Sequence, residues 1–134
     1  MLNQELHDAY RTTNYKVFTP EFTIKVGQLN GILNKILEAT SNTSWAYITA
    51  FNPFSKELSD EENKSRQDEL LKLVTKHQTY KGHGVDEKEE WPAEESVLIL
   101  GITEEDAVKL GNKYEQNAIV VGSIYKEAIL KILK

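Results

Sequence analysis

Polar side chains that could bind a small molecule follow a predicted strand and continue into a predicted helix. Amides offer both hydrogen-bond donors and acceptors, and the planar guanidinium of arginine can hold a carboxylate or phosphate through two parallel hydrogen bonds. Together they suit a small anionic ligand, such as a nucleotide or a phosphate- or carboxylate-bearing metabolite. The same groups could instead cap the loop backbone and pair with surface carboxylates. The residues are Asn52, Ser55, Asn63, Arg66 and Gln67.

A strand and a helix must position these side chains. Residues 45–51 read Trp-Ala-Tyr-Ile-Thr-Ala-Phe, an apolar run typical of a strand buried on both faces. Pro53 ends the strand because proline donates no ladder hydrogen bond. Ser59, followed three residues later by Glu62, forms a capping box and predicts a helix over 60–77. A ligand at the junction of this strand and helix would meet free N–H groups and the positive end of the helix dipole.

Three residues farther along the chain are additional candidates for the site. His83 lies between two glycines and is the best candidate for proton transfer, because an unperturbed imidazole titrates near neutral pH. Trp91 could form the wall of a pocket, and Glu95 could enter the site or pair with Arg66. His83 could instead be an exposed loop or strand-end histidine, Trp91 could simply cover a sheet edge, and Glu95 could be exposed at the surface. The chain has no Walker loop, dinucleotide fingerprint, serine elbow or His-Glu-x-x-His motif, so no catalytic residue or reaction type follows.

Several motifs in this order resemble a known family. Trp-Ala-Tyr-Ile-Thr-Ala-Phe-Asn-Pro-Phe-Ser precedes Leu-Ser-x-x-Glu-Asn-x-x-Arg-Gln-x-x-Leu, and three later segments follow at 82–84, 91–96 and 116–120. The chain is similar through these motifs to the bacterial family of domain of unknown function (DUF) 3293. The likeness begins at Tyr10-Arg11 and covers most of the chain. It implies a compact single domain and supplies no established activity or catalytic residues.

The composition bounds the class of protein. The chain has 134 residues, a formal net charge of −5 and no cysteine, so we expect one domain over residues 1–134 without disulfides. The absence of a long apolar run and of a signal peptide favours a cytoplasmic protein without membrane contact. The negative charge disfavours binding of duplex nucleic acid. The histidines lack metal-ligand spacing, no feature indicates a cofactor, and the oligomeric state stays open.

The apolar periodicity predicts an α/β fold, with α+β as the alternative, in which helices flank a mixed β-sheet. If the strands 45–51 and 97–100 are parallel neighbours, their carboxyl ends open on the same side of the sheet. We expect helices over 2–11, 29–37, 60–77, 104–113 and 124–133, and strands over 15–18, 22–26, 45–51, 80–86, 97–100 and 117–122.

Two functions from different classes remain open at this point. The first is a small-ligand domain, which could be an enzyme. The second is a protein-interaction or regulatory module without catalytic activity, using the acidic segment 86–90 and Trp91, since an exposed aromatic can anchor an interface. A concave pocket lined by Asn52, Arg66 and His83 would favour the first. Salt bridges that engage Arg66 on a flat surface would favour the second.

Overall fold

The apolar segments of the sequence form a seven-stranded sheet with four α-helices in the computed structural model, which describes residues 3–134. A 3₁₀ turn lies at Pro53–Ser55. In chain order the other elements are α1 Gln4–Thr12, β1 Asn14–Val17, β2 Phe22–Ile24, α2 Gly31–Thr40, β3 Ser44–Ile48, α3 Asp60–Leu73, β4 Thr79–Val85, β5 Glu94–Leu100, α4 Glu104–Lys113, β6 Ala118–Ser123 and β7 Ile129–Ile132.

The strands lie in the order β2-β1-β4-β5-β3-β6-β7, and every neighbouring pair is antiparallel. The sheet curls until its two edges meet, where Val26 forms a parallel bridge with Ala128. The Gly27 N–H donates to the Ala128 carbonyl at 2.8 Å. The expected α/β class, a sheet flanked by helices, is confirmed.

The two faces of the sheet bury separate cores. On the inner face of the curl, α2 contributes Leu33 and Leu37 to a cluster that includes Trp45. On the outer face, α3 and α4 pack over β5, β3 and β6 around Ile48. Trp45 and Ile48 are buried, as the apolar run predicts. The outer face of β1 and β4 lies beyond the main contacts of these two helices, so side chains there reach solvent.

The predicted C-terminal helix over 124–133 is wrong, since this segment contains β7. After β6, the Lys126 N–H donates to the Ser123 carbonyl at 3.1 Å, and Tyr125 adopts a positive φ of 66°. This turn reverses the chain and pairs Ile129 with Val121. The apolar residues of the segment fit a period of two as well as 3.6, and the hairpin partner decides between them.

The other predicted helices are confirmed, with shifts at their ends. Leu2, the first residue of the predicted helix 2–11, lies outside the described residues. The helix predicted over 60–77 ends at Leu73, and the strand predicted over 45–51 ends at Ile48. A shift of a few residues at element ends is usual because terminal turns fray.

The expected parallel pairing of the two central strands is also wrong. β3 and β5 are antiparallel, with Trp45 opposite Leu100 and Ile48 opposite Val97. The end of β3 therefore lies beside the start of β5, where the chain carries two glutamates. Gly101 follows β5 at the opposite end of these two strands, where its N–H donates to the carbonyl of Ser44, the first residue of β3, at 2.7 Å. The two carboxyl ends do not form a common rim.

Candidate functional site

The turn after β3 is held by a pair of asparagines. Asn52, Phe54 and Ser55 all adopt positive φ angles, of 48°, 50° and 62°. Such conformations cost free energy outside glycine and persist where surrounding contacts fix them. The Asn52 N–H donates to Asn63 Oδ1 at 2.8 Å, and Asn63 Nδ2 donates to Asn52 Oδ1 at 2.8 Å. Asn63 is buried, so these two amides shape the turn by bonding to each other.

Arg66 and Gln67 both bind the backbone of Ala50. Arg66 Nε donates to the Ala50 carbonyl at 2.8 Å, and Gln67 Oε1 accepts from the Ala50 N–H at 2.9 Å. Arg66 Nη2 also donates to the Tyr114 carbonyl at 2.6 Å, and Nη1 lies 3.7 Å from Glu115 Oε1. These contacts fasten α3 to the end of β3 and to the connection after α4. The guanidinium is therefore largely committed to internal bonds.

Ser55 points toward a different part of the molecule. Its Oγ accepts a hydrogen bond from Asn117 Nδ2 at 2.9 Å and lies 3.2 Å from the hydroxyl oxygen of Tyr10. Tyr10 belongs to α1 and Asn117 precedes β6, so the contact joins three distant segments. The cluster of Tyr10, Ser55 and Asn117 could not be predicted from sequence, because the three residues are far apart along the chain. Ser55 does not join Arg66 in one binding constellation.

An open groove of about 510 Å³ lies between the N-terminal half of α3 and the outer face of β4 and β5. His83 and Glu95 are direct cross-strand neighbours here, so the structure brings these two candidates together. Lys64 Nζ lies 3.4 Å from Glu95 Oε2 and 3.2 Å from Asp68 Oδ1; Glu95 therefore pairs with Lys64 and not with Arg66. The groove is lined by Phe18, Phe51, Asp60, Lys64, Gly82, His83, Ala93 and Glu95.

Two of the groove's polar residues escaped the sequence analysis. Asp60 and Lys64 are four residues apart on α3, which places them on one helix face. This spacing is the sequence feature that could have identified them as neighbours. Phe18 and Phe51, the aromatic walls of the groove, could not be recognised from sequence, because strand pairing over a long stretch of the chain brings them to the same groove.

Trp91 is 71% exposed and lies outside the lining of the groove. The backbone N–H of Trp91 donates to Asp86 Oδ1 at 2.9 Å, and this bond helps to order the loop between β4 and β5.

The surroundings of His83 are basic and aromatic. The ring of Phe18 contacts the imidazole edge-on, with 4.8 Å between ring centroids. Lys16 is the cross-strand neighbour of His83 on β1, and Lys81 lies two residues before it on β4. Cross-strand partners, and residues two apart on one strand, share a face of the sheet. His83, Lys16 and Lys81 therefore form a basic edge beside the groove.

Glu94 is a partly buried residue that the sequence analysis did not place in the site. Burial raises the pKa of the Glu94 carboxyl above its usual range, against the hydrogen bond from Asn52 Nδ2, which lowers it. That bond measures 2.8 Å to Oε2. Glu94 and Glu95 are adjacent, and alternation along a strand sends their side chains to opposite faces. One carboxyl consequently supports the turn after β3 while the other lines the groove.

Replacing Glu94 with glutamine should change how stability depends on pH. Since the carboxyl's pKa is raised in the folded state, the wild type retains its full stability below the unfolded pKa and loses part of it as pH rises through the folded pKa. The amide stays neutral and can still accept from Asn52. We expect Glu94→Gln to increase the free energy of unfolding at about pH 8 and to have little effect near about pH 4.

Urea titrations of both proteins at several pH values would measure this difference. Glu127→Gln, on the exposed turn before β7, serves as the matched control. A Glu94→Gln protein that is less stable than the wild type at high pH would show that the ionised carboxylate is needed in the turn.

The fold and groove define a small α/β domain with a curled antiparallel sheet and an open, mixed-charge groove. The chain belongs to the family described as protein of unknown function (DUF3293), whose family model matches residues 48–119. This match runs from the last residue of β3 to the start of β6 and includes the groove residues of α3, β4 and β5. No curated protein matches the chain, and no solved structure does.

The described residues form neither a metal-binding cluster nor a membrane-spanning helix. Among residues 3–134, no three His, Cys, Asp or Glu side chains are placed to hold a metal ion together. In the same part of the chain, every helix is too short or too polar to cross a membrane.

Proposed function

We propose that this domain binds a small organic anion in the groove, with the ligand's apolar part between Phe18 and Phe51 and its charged group at His83. The observation that carries the proposal is the groove itself, whose volume of about 510 Å³ falls within the range of small-molecule sites. Aromatic walls favour a ring or a branched apolar group. The basic edge beside them favours an anion.

Charge pairing within the groove supports an anionic ligand. Glu95 is already engaged by Lys64, which also pairs with Asp68. Within residues 3–134, neither Lys16 nor Lys81 has a carboxylate within salt-bridge distance. An incoming anion can therefore pair with these two lysines without breaking an existing salt bridge. In this proposal the basic edge holds the anionic group of the ligand, which the sequence analysis assigned to Arg66 and the start of α3.

A thermal-shift screen tests this function. The probes are benzoate, phenylacetate, phenyl phosphate and inorganic phosphate, and we expect those with a ring to raise the melting temperature most. A ligand at about 100 times its Kd adds about 2.7 kcal/mol to the free energy of unfolding. His83→Ala should reduce the shift, whereas His7→Ala, on α1, should preserve it. The proposal fails if no probe stabilises the protein or if the two substitutions act alike.

A protein-interaction role is the second candidate, and it rests on Trp91. This side chain is 71% exposed, beside the acidic segment 86–90, and exposed aromatics within polar rims often anchor interfaces. A photo-crosslinking amino acid at position 91 can be compared in cells with one at Lys109, which is exposed on α4. An adduct with one protein at position 91 alone would support this role. Equal or absent adducts would oppose it.

A further inference from the structure

We infer that the ligand of the groove is a nucleotide whose base carries an exocyclic amino group and whose phosphate binds at the basic edge. This inference rests on the proposed function and specifies its substrate class. It follows from how acidic, aromatic and basic side chains are distributed across the groove. Each of these three kinds of side chain matches one part of such a molecule.

The basic edge matches a phosphate better than a carboxylate. Lys16, Lys81 and His83 present three nitrogen-bearing side chains on one face of the sheet. A phosphate monoester has three terminal oxygens and a charge of about −1.5 to −2 at neutral pH, so it can engage several donors at once. Lys81 is exposed and the other two side chains are partly exposed; the phosphate can therefore remain at the mouth of the groove.

The aromatic walls match a planar base. Phe18 is 47% exposed although it is a large apolar side chain, and it lines the groove together with Phe51. Stacking on an aromatic side chain stabilises bound bases in single-stranded nucleic-acid sites. Because each base has a π-face, the walls select for a ring but do not select between bases.

The carboxylates of the groove match the amino group of a base. Asp60 and Glu95 lie on opposite sides of the groove, on α3 and β5. An ionised carboxylate only accepts hydrogen bonds, and it has about four acceptor positions. Lys64 Nζ lies 3.4 Å from each of the two Glu95 oxygens, and these two contacts leave further acceptor positions on Glu95 for an N–H donor. A simple aromatic acid offers no donor to these oxygens, whereas adenine and guanine do.

Calorimetric titration of the whole chain tests this ligand class. The probes are adenosine, guanosine and inosine 5′-monophosphates, ribose 5-phosphate and phenyl phosphate. We expect the adenosine or guanosine nucleotide to bind about tenfold more tightly than the inosine nucleotide, which lacks the amino group, and than phenyl phosphate, because unpaired polar groups in a site weaken the wrong ligand. Ribose 5-phosphate, without a base, should bind weakest.

Two paired variants locate the phosphate. The double substitution Lys16→Ala and Lys81→Ala should weaken nucleotide binding about tenfold and flatten its salt dependence, since charge-assisted bonds to phosphate are lost. The control pair Lys72→Ala and Lys76→Ala removes the same charge from the last turn of α3 and the turn that follows it, and it should preserve binding. The inference is overturned if both pairs have the same effect.

The outcomes separate this inference from the proposed function. If phenyl phosphate binds as tightly as every nucleotide, the groove is an anion site and the nucleotide inference is wrong. The same conclusion holds if ribose 5-phosphate equals the nucleotides. If neither nucleotides nor phenyl phosphate bind, the proposed function fails as well.

Discussion

Replacing Gly82 with alanine should lower the free energy of unfolding by about 3 kcal/mol, the upper end of what overpacking usually costs. A Cβ at this position would lie 1.9 Å from the carbonyl oxygen of Lys16 and 2.9 Å from the Tyr47 hydroxyl. The Tyr47 hydroxyl donates to that same carbonyl at 2.7 Å. The clash is with backbone, so β1 must move away from β4 and the tyrosine must lose its acceptor.

Gly84→Ala provides a matched control for this substitution. Gly84 lies two residues farther along β4, on the same face, and its nearest neighbour to a new Cβ is Thr13 Cγ2 at 3.7 Å. This is an ordinary contact distance, so the change should alter stability by less than about 1 kcal/mol. Urea denaturation of both variants measures the contrast. A decrease in the free energy of unfolding for Gly82→Ala as small as that expected for Gly84→Ala would mean that β1 and β4 tolerate a side chain at Gly82.

Arg66→Ala should cost about 2–4 kcal/mol, because it removes hydrogen bonds from a charged group to two backbone carbonyls, and such bonds contribute about 1.5–3 kcal/mol each. The carbonyls belong to Ala50 and Tyr114. From sequence, Arg66 is expected to hold a ligand and to affect the melting temperature by only a few degrees. The hydrogen bonds of the guanidinium favour a structural role and therefore a larger effect. Arg66→Lys should restore little, since an ammonium cannot reproduce the planar fork.

Lys72→Ala is the control for the loss of a positive charge on α3. Lys72 is exposed in the last turn of the helix, and such surface changes usually stay within about 0.5 kcal/mol. Thermal and urea denaturation of the two variants give the comparison. A loss at Arg66 as small as that at Lys72 would show that the guanidinium is free for a ligand.

Local signals in the sequence predicted most helices and the central strand. Ser59 and Thr103 cap α3 and α4 through side-chain hydrogen bonds to the third residue of each helix. The unbroken apolar run containing Trp45 and Ile48 became a buried strand. These features depend on neighbours within a few residues, which is why the chain itself displays them.

The groove depends on long-range register and could be predicted only in part. His83 and Glu95 attracted attention by residue type, but their pairing follows from the register of β4 with β5. Whether a glutamate lines the groove or supports the turn after β3 depends on which face of the strand it occupies, so Glu94 and Glu95 could not be told apart. The internal bonds of Arg66 could not be predicted for a similar reason, since its partners Ala50 and Tyr114 lie 16 and 48 residues away in sequence.

Chemical-shift mapping by NMR with phenyl phosphate tests ligand binding in the groove most directly. The backbone amides of Lys64, Gly82, His83 and Ala93, all of which line the groove, should shift in a saturable way, and His83→Ala should weaken the response. Amides near Ser55 and Asn117 should stay unchanged. Shifts centred on Ser55 or on Arg66, or no saturable shift at all, would contradict binding in the groove.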